Sequence, residues 1–429
     1  TYNLTASGIN NRIIINDKTY FFTSFSYSAT EYSNKNLFYT LSLKEIPVTD
    51  QNEINSQSAL TTYINHKFNS RHTNRSGLIL SMLSYAFDVE NNTNVAQNEF
   101  ADFFINSNGQ TLNYQLYTQS KFCILENLNL SAGLHFMYFD LNNEIILEPR
   151  LGIKWNFASR HSFSLAYGKH SRIEPLRIYM TEILTVNGYN LINSDLKVTK
   201  AHHFIFSYDL KLGRQIHLKL EPYYQLLYDV PVIEDSSFSM INYTCESFFT
   251  EKMNNEGTGK NCGIDITMEK FMDEGFYYMF TSSVYSSTYK GGDRIEHSSR
   301  YNQNYVFNLL AGKEWQTGKK NTFGLNGKLT VIGGKRYSPV DLVRSSQYKY
   351  VVYDDSRIYE DKLPASCFVD FSLNYTVNKR QCSHSLIIQL KNLLMQEESF
   401  GHAYNYKTDT VEPYGLTIIY PFISYKIQF

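Results

Sequence analysis

Apolar and polar residues alternate with a period of two along most of the chain. Residues 128–138 read LNLSAGLHFMY, and residues 369–377 read VDFSLNYTV. A period of two places successive side chains on opposite faces of a β-strand. No stretch has the helical period, so the sequence predicts an all-β protein.

The alternating segments are long. We predict about 17 strands of roughly 10 to 15 residues each, whereas strands of soluble proteins are typically about 5 to 6 residues long. The predicted strands centre on residues 2–15, 19–32, 57–69, 75–88, 109–123, 126–140, 144–157, 161–171, 198–212, 215–229, 258–271, 275–290, 302–315, 321–334, 365–378, 382–396 and 417–429. Strands of this length are typical of transmembrane β-barrels.

The connections between the predicted strands are sorted by length. Short connections, such as residues 16–18, 158–160 and 378–381, alternate with long ones. The long connections are residues 33–56, 89–108, 172–197, 230–257, 335–364 and 397–416. Outer-membrane barrels have short turns on the periplasmic side and long loops on the outside. The pattern therefore predicts a transmembrane, antiparallel, up-and-down β-barrel integral to a bacterial outer membrane.

Alternation also assigns side chains to the two faces of the sheet. The residues expected to face lipid are Leu151, Ile153, Trp155, Phe157, Phe204, Phe206, Tyr208, Phe371, Leu373 and Tyr375. The residues expected to face the lumen are Arg150, Lys154, Asp209, Glu269 and Lys391. The charged residues belong inside because Arg or Lys at the lipid midplane costs about 2 to 4 kcal/mol.

The composition agrees with a membrane barrel and gives no support for a nucleic-acid partner. The chain has 35 Tyr and 29 Phe among 429 residues, and aromatic rings suit the two membrane interfaces. The formal net charge of -1 gives no indication of a nucleic-acid partner. The expected partner is outer-membrane lipid.

The C-terminal strand ISYKIQF runs from Ile423 to Phe429. It resembles the signal that the bacterial barrel-assembly machinery reads. Because the C-terminus lies on the short-turn side, counting back makes strand 2–15 run inward from outside. A complete single-chain barrel begins in the periplasm and has an even strand number. We therefore expect 1–429 to be a single β-barrel domain, incomplete on its N-terminal side, whose first and last strands are not paired.

Several short patterns resemble enzyme motifs but lack their spacing. The segment GTGK at 257–260 is followed by Asn261 rather than Ser or Thr, and it lacks the first Gly of a P-loop. The neighbouring His202 and His203 would face opposite sides of a strand. The cysteines do not have metal-ligand spacing. We predict no enzyme, no catalytic residue, no metal site and no cofactor, and we interpret the glycines as a close approach of a loop to a strand.

Six segments of the chain resemble TonB-dependent outer-membrane receptors of the Bacteroidetes type. They are EPRLGIKWNF, SLAYGKHSRIEPL, NEGTGKNCGIDITMEKF, RYNQNYVFNLLAGKEW, GGKRYSPVDL and YEDKLPASCFVDFSLNYTVNKR. Each segment is weak evidence alone, but their order is specific. The resemblance extends from about residue 57 to the C-terminus and is strongest from residue 144 onward.

The resemblance implies a barrel of about 22 strands that is closed by an N-terminal plug domain. In the family, the TonB complex engages a short N-terminal segment to drive uptake of a scarce solute. Neither that segment nor the plug is found in this chain. A passive porin-like channel and a surface-adhesion barrel remain alternatives. The solute stays open, although Asn-rich and Tyr-rich loops suit a glycan or a peptide.

In the family the outer loops bind the solute, so rings and cations in these loops are candidate ligand-binding residues. Aromatic rings stack on sugars and other apolar faces, and guanidinium groups hold carboxylates or phosphates. The candidates are Arg172, Arg177, Tyr179, Tyr189, Arg336 and Tyr337.

A disulfide between Cys245 and Cys262 is also considered. Cys245 lies in the long connection 230–257, and Cys262 is expected at the start of the following strand, on the oxidising outer side. Closing this loop of about 17 residues would stabilise the fold by roughly 3 kcal/mol in the chain-entropy model. The alternative is two separate thiols.

Overall fold

The computed structural model describes residues 1–39, 45–92, 102–185, 188–243 and 251–429. Two short helices, α1 (Leu176–Tyr179) and α2 (Leu342–Tyr348), lie in long connections, which corrects the expectation that no segment is helical. The strands in chain order are β1 (Tyr2–Asn16), β2 (Thr19–Tyr39), β3 (Glu45–Asn69), β4 (His72–Asn92), β5 (Asp102–Leu125), β6 (Leu128–Phe139), β7 (Glu144–Ala158), β8 (His161–Arg172), β9 (Glu182–Thr185), β10 (Gly188–Leu191), β11 (Thr199–Leu212), β12 (Ile216–Ile233), β13 (Met253–Asp273), β14 (Phe276–Lys290), β15 (Glu296–Ser298), β16 (Tyr305–Gln316), β17 (Asn321–Ile332), β18 (Arg336–Tyr337), β19 (Asp361–Lys362), β20 (Ser366–Asn378), β21 (Ser383–Lys391), β22 (Glu398–Asn405), β23 (Thr410–Leu416) and β24 (Tyr420–Gln428).

In the described part of the chain, 18 strands form one antiparallel sheet in which successive strands are paired. Four pairings pass over shorter strands that lie in the connections: β8 with β11, β14 with β16, β17 with β20, and β21 with β24. Each predicted strand is present, and the extra strand β15 adds three residues beside β14. The predicted antiparallel up-and-down sheet is confirmed.

Strands β1 and β24 are the two edges of this sheet. Within the described residues, β1 pairs with β2 alone and β24 pairs with β21 alone. The expectation that the first and last strands are not paired is therefore confirmed. The single-domain assignment, the missing strands before Thr1 and the recognition of the Ile423 to Phe429 segment stay predictions.

Several hairpins extend much further than the alternation predicted. Strands β2, β3, β4 and β5 have 21, 25, 21 and 24 residues, so most of connections 33–56 and 89–108 is strand rather than loop. Beyond the membrane neither face meets lipid, so the period-two pattern weakens while the backbone ladder continues. The long connections are therefore partly sheet that projects outward.

The connections are otherwise sorted as predicted, with one exception. Strands β6 and β7 are joined at the outer end by the short turn 140–143. A short outer turn leaves the rim low at this point. The neighbouring connection 173–198, between β8 and β11, reaches over it, as described below.

The cross-strand register confirms the predicted faces. Trp155 pairs with Phe163, and Phe163 pairs with Tyr208, so these three rings share the lipid face. Lys154 pairs with Ser164 on the other face, which is the lumen face. Residues opposite one another in a ladder point to the same side of the sheet. The remaining predicted lipid-facing and lumen-facing residues fall on the same two faces by this register.

Aromatic side chains form a girdle on the lipid face near the short-turn end. Phe157 stacks on Phe163 with ring centroids 4.8 Å apart, and Phe163 lies 5.0 Å from Tyr208. Both tryptophans of the chain, Trp155 and Trp315, belong to this girdle. Such rings are enriched where the hydrocarbon meets the headgroups. The girdle therefore marks the periplasmic interface of the membrane.

Glycines on the lumen face make room for tyrosine rings from neighbouring strands. A Cβ atom added to Gly263 would lie 2.7 Å from the Tyr223 hydroxyl oxygen, and one added to Gly77 would lie 2.8 Å from the Tyr117 ring. At Gly259 the nearest atom would be Ile241 Cδ1 at 2.6 Å. The interpretation of the GTGK glycines as positions of close approach is confirmed.

The cysteine expectations are partly corrected. Strand β13 begins at Met253, so Cys262 lies well inside it, opposite Tyr224 and Ser286, rather than at its start. Cys262 has a free thiol in the structure. Cys245, the predicted partner, lies outside the described residues.

Candidate functional site

The connection 173–198 folds inward over the lumen at the outer end of the sheet. Its helix α1 carries Ile178 and Tyr179, whose side chains are 0% exposed. They belong to one apolar cluster with Phe139 and Ile146, which lie on the lumen face of β6 and β7. The rings of Phe139 and Tyr179 meet edge to face with centroids 5.7 Å apart. The main apolar core of the described residues thus lies inside the outer mouth.

Hydrogen bonds and ion pairs fix the inward connection to the wall. The Asn193 carboxamide oxygen accepts a hydrogen bond from the Met253 amide at 2.8 Å. Glu144 accepts one from the Val198 amide at 2.7 Å and also pairs with Lys200 at 2.6 Å. A largely buried carboxylate that is both paired and hydrogen-bonded, as Glu144 is with its side chain 13% exposed, holds its neighbours in one geometry. These contacts join the connection to β7 and β13.

A cavity of about 780 Å³ lies in the lumen wall beside Ile173, where the inward connection begins. Glu148 is one of its lining residues, and the Glu148 side chain is 3% exposed. The carboxylate accepts hydrogen bonds from Arg150 Nη2 at 2.7 Å and from the Ser171 hydroxyl, and it lies 2.9 Å from His135 Nδ1. Cation, carboxylate and imidazole are therefore fixed on one polar wall of the lumen.

The same cavity wall includes two stacked imidazoles. The rings of His170 and His203 have centroids 4.7 Å apart, whereas His202 lies on the other face against Tyr167 and Tyr228. The predicted opposite orientation of His202 and His203 is confirmed. His170, near the end of β8, lines the cavity in the lumen wall.

Two of the predicted ligand-binding residues point inward. Arg177 Nη2 lies 3.2 Å from Glu53 Oε2, with side chains 12% and 0% exposed. Tyr179 is fully buried, and burial raises the pKa of its hydroxyl above the usual range. The expectation that these residues offer an outward-facing surface is therefore wrong in this conformation. Their apolar and ionic partners lie on the barrel wall, which the sequence pattern could not reveal.

Of two other candidates, Arg172 directly precedes the same connection and Tyr189 lies within it. Arg172, at the end of β8, is 66% exposed in its side chain and pairs with Glu174 at 3.0 Å. Tyr189 lies in β10, where its backbone is paired with that of Leu184 in the hairpin β9–β10. Arg172 is thus accessible at the outer mouth.

Arg336 and Tyr337 lie apart from the other four candidates in sequence, in the connection between β17 and β20. Arg336 Nε donates to the Asn302 carbonyl oxygen at 3.0 Å, and Nη1 donates to the Tyr359 carbonyl oxygen at 3.0 Å. The Tyr337 ring lies 5.0 Å from the ring of His402. Arg336 therefore joins two connections, and both side chains are half-buried.

The sequence interpretation missed an exposed aromatic surface at the outer end. Lys349 Nζ, after α2, lies 2.6 Å from Asp409 in the turn between β22 and β23, and the Tyr404 hydroxyl also donates to Asp409. Lys349 and Tyr404 hold the pKa of the Asp409 carboxyl below its usual range. The rings of Tyr350 and Tyr406 are 57% and 76% exposed. The Tyr-rich segments YKY at 348–350 and YNYK at 404–407 could have indicated this aromatic surface from the sequence.

Among the residues that the structure describes, no group of three or more His, Cys, Asp or Glu side chains is arranged to hold a metal ion. The helices in the same part of the chain are all too short to cross a membrane. The functional candidates are thus the outer connections and the lumen wall.

The family described as TonB dependent receptor-like, beta-barrel matches residues 1–393. The chain therefore belongs to the β-barrel family of TonB-dependent receptors, and it is an integral outer-membrane protein. A comparison with curated protein sequences gives no significant match.

Solved structures of receptors with little sequence identity share the fold. The ferric preacinetobactin receptor BauA of Acinetobacter baumannii has 12% identity and a TM-score of 0.66, over 100% of this chain and 63% of that one. The ferripyoverdine receptor of Pseudomonas aeruginosa has 12% identity and a TM-score of 0.67, over 99% and 56%. The copper transporter OprC has 10% identity and a TM-score of 0.65, over 99% and 65%. The chain thus spans less than two thirds of each receptor.

Proposed function

We propose that this chain is the barrel of an energy-coupled importer that takes up a scarce extracellular solute. The observation that carries the proposal is the family match over residues 1–393. The structural neighbours are a ferric preacinetobactin receptor, a ferripyoverdine receptor and a copper transporter, but an identity near 12% does not transfer a substrate. The Bacteroidetes subtype also stays a prediction.

We place solute capture on the outer connections. Arg172 offers an exposed guanidinium at the mouth, and Tyr350 and Tyr406 offer exposed rings. Exposed rings with neighbouring carboxylates and amides suit a glycan or a peptide better than a bare ion. Arg177 and Tyr179 belong to the closed mouth in this proposal, and they become accessible only when connection 173–198 moves outward.

The TonB complex is the proposed energy source, and it acts on a segment outside this chain. Growth of a deletion strain should be measured on glycans, peptides, siderophores and corrinoids, each as the limiting nutrient. The proposal predicts that one nutrient class no longer supports growth, and that a strain lacking the TonB complex has the same defect. Complementation with the full-length gene should restore growth.

A passive channel or an adhesion barrel gives a different result. Uptake through a passive channel would need the deleted gene but not the TonB complex, and it would not saturate at micromolar solute. An adhesion barrel would leave growth unchanged on every nutrient while surface attachment fell. Either outcome would refute the importer proposal.

A further inference from the structure

The short turns at the periplasmic end carry an excess of positive charge. These turns are 17–18, 70–71, 126–127, 159–160, 213–215, 274–275, 317–320 and 379–382. The basic residues in them are Lys18, Arg71, Arg160, Arg214, Lys319, Lys320, Lys379 and Arg380, and the acidic ones are Asp17, Glu126 and Glu274. Eight cations against three anions is a marked asymmetry, since the whole chain has a formal net charge of -1.

These eight basic side chains are exposed. None of them forms an ion pair with a described residue, whereas basic residues at the outer end, such as Lys35, Arg294 and Lys349, are paired with carboxylates. An excess of unpaired cations in a ring of turns attracts anions from its surroundings. The turns lie where the headgroups of the periplasmic leaflet meet the barrel.

The charge is most concentrated in two adjacent turns, 317–320 and 379–382. Together they hold Lys319, Lys320, Lys379 and Arg380 and no acidic residue. The two turns are neighbours because β17 pairs with β20, and the Asn378 amide donates to the Lys320 carbonyl oxygen at 2.8 Å. Four cations are therefore gathered at one point of the rim.

A row of aromatic side chains lies on the lipid face directly above these turns. Trp315 pairs with Phe323 across β16 and β17, and Phe323 pairs with Tyr375 across β20. The rings of Trp315 and Phe323 stack with centroids 5.8 Å apart. Phe323 is three residues from Lys320, which is about 10 Å along a strand. The aromatic row therefore lies deeper in the membrane than the four cations, on their hydrocarbon side.

We propose that turns 317–320 and 379–382 bind the phosphate of an anionic phospholipid of the periplasmic leaflet. The upper part of its acyl chains then packs against the row of Trp315, Phe323 and Tyr375. The lipid rather than free phosphate is the occupant because the cations adjoin a lipid-facing aromatic row. Polybasic segments next to a membrane attract anionic headgroups in this way. This inference depends on the membrane location and not on the importer function.

The test is retention of lipid by the purified full-length protein. The protein is delipidated in detergent and exposed to an equimolar mixture of phosphatidylglycerol and phosphatidylcholine with identical acyl chains, and bound lipid is counted by native mass spectrometry. We expect at least a fivefold preference for phosphatidylglycerol. The quadruple variant K319Q/K320Q/K379Q/R380Q should reduce this preference to less than twofold.

Two matched variants distinguish binding at this site from a general effect of the protein's surface charge. K35Q/R294Q/K335Q/R357Q removes four exposed cations at the outer end and should leave the preference unchanged. The charge-conserving variant K319R/K320R/K379R/R380K should also keep it. In gel electrophoresis the folded barrel migrates differently from the heat-denatured chain, and loss of this difference reports misfolding. In that case the pairs K319Q/K320Q and K379Q/R380Q are each measured alone.

In the lipid measurement itself, three results would overturn the proposal. The first is equal retention of the two lipids by the unaltered protein, and the second is an unchanged preference in the folded quadruple variant or in both pair variants. The third is a loss of preference in the outer-end control as large as that in the quadruple variant. Inorganic phosphate in roughly tenfold excess over lipid distinguishes the two phosphate sources. Full displacement of phosphatidylglycerol by it, with no effect of the W315A/Y375A variant, would indicate a free-phosphate site and refute the lipid assignment.

Discussion

Removal of the Arg177 guanidinium should release the inward-folded connection 173–198. Its Nη2 atom lies 3.2 Å from Glu53 Oε2, and the Glu53 side chain is 0% exposed. Arg177→Met keeps much of the apolar stem but leaves a buried carboxylate without this cation. Breaking a buried ion pair from one side costs about 3 to 5 kcal/mol. Arg177 lies in α1 of the connection, and Glu53 lies in β3 of the barrel wall. The substitution therefore weakens the attachment of the connection to the wall.

The cost should appear as local opening. If opening and closing are fast relative to cleavage, the protease cleavage rate follows the population of the open form. A loss of about 3 kcal/mol then corresponds to a rise in cleavage rate of roughly a hundredfold. Chymotrypsin is the suitable protease, because connection 173–198 contains Tyr179 and Tyr189 and trypsin would lose its site at Arg177.

Two controls make this prediction refutable. Arg357→Met removes a cation from an exposed pair with Glu360, with side chains 53% and 52% exposed, and should leave cleavage unchanged. The double variant with Glu53→Gln also removes the negative charge that Arg177 faces, and it should recover much of the protection. Unchanged cleavage in Arg177→Met, or no recovery in the double variant, would refute the reasoning.

Three further outcomes are expected. Gly263→Val should destabilise the barrel by about 1 to 3 kcal/mol in urea unfolding, because its Cβ would lie 2.7 Å from the Tyr223 hydroxyl oxygen. Ile153→Lys should cost about 2 to 4 kcal/mol in the same assay, because it places a charge on the lipid face. The pKa of Asp409 is lowered by Lys349 and Tyr404, so this contact stabilises the folded outer loops above the ordinary carboxyl pKa and is lost as the pH falls through the lowered value. The protection of hairpin β22–β23, measured as its hydrogen-exchange rate relative to that of an unstructured peptide at the same pH, should therefore fall over that range.

Gly152 supplies the matched control for the first two variants. A Cβ atom added to Gly152 meets no atom within 4 Å, so Gly152→Val should cost much less than Gly263→Val. Gly152→Lys places the charge on the lumen face beside Ile153 and should be tolerated. In Asp409→Asn the hairpin should already exchange faster at neutral pH, and a pH response that persists in this variant would contradict the assignment to Asp409.

The sequence by itself determined the sheet. The alternation of Leu151, Ile153 and Trp155 with polar neighbours records that one face meets lipid and the other meets the lumen, and this constraint acts on every membrane-crossing residue. Strand number, the order of pairing and the faces could therefore be predicted. The outward ends of β2 to β5 could not, because outside the membrane no constraint fixes the alternation.

Only the tertiary structure decided where the outer connections go. Arg177 and Tyr179 are residue types that suit a ligand surface and a packed mouth equally well, and their burial depends on Glu53 and Phe139, which are distant in sequence. The same is true of Lys349 and Asp409, which are 60 residues apart. Side-chain type and spacing carry no information on such contacts, because the long connections can reach many parts of the wall before packing selects one.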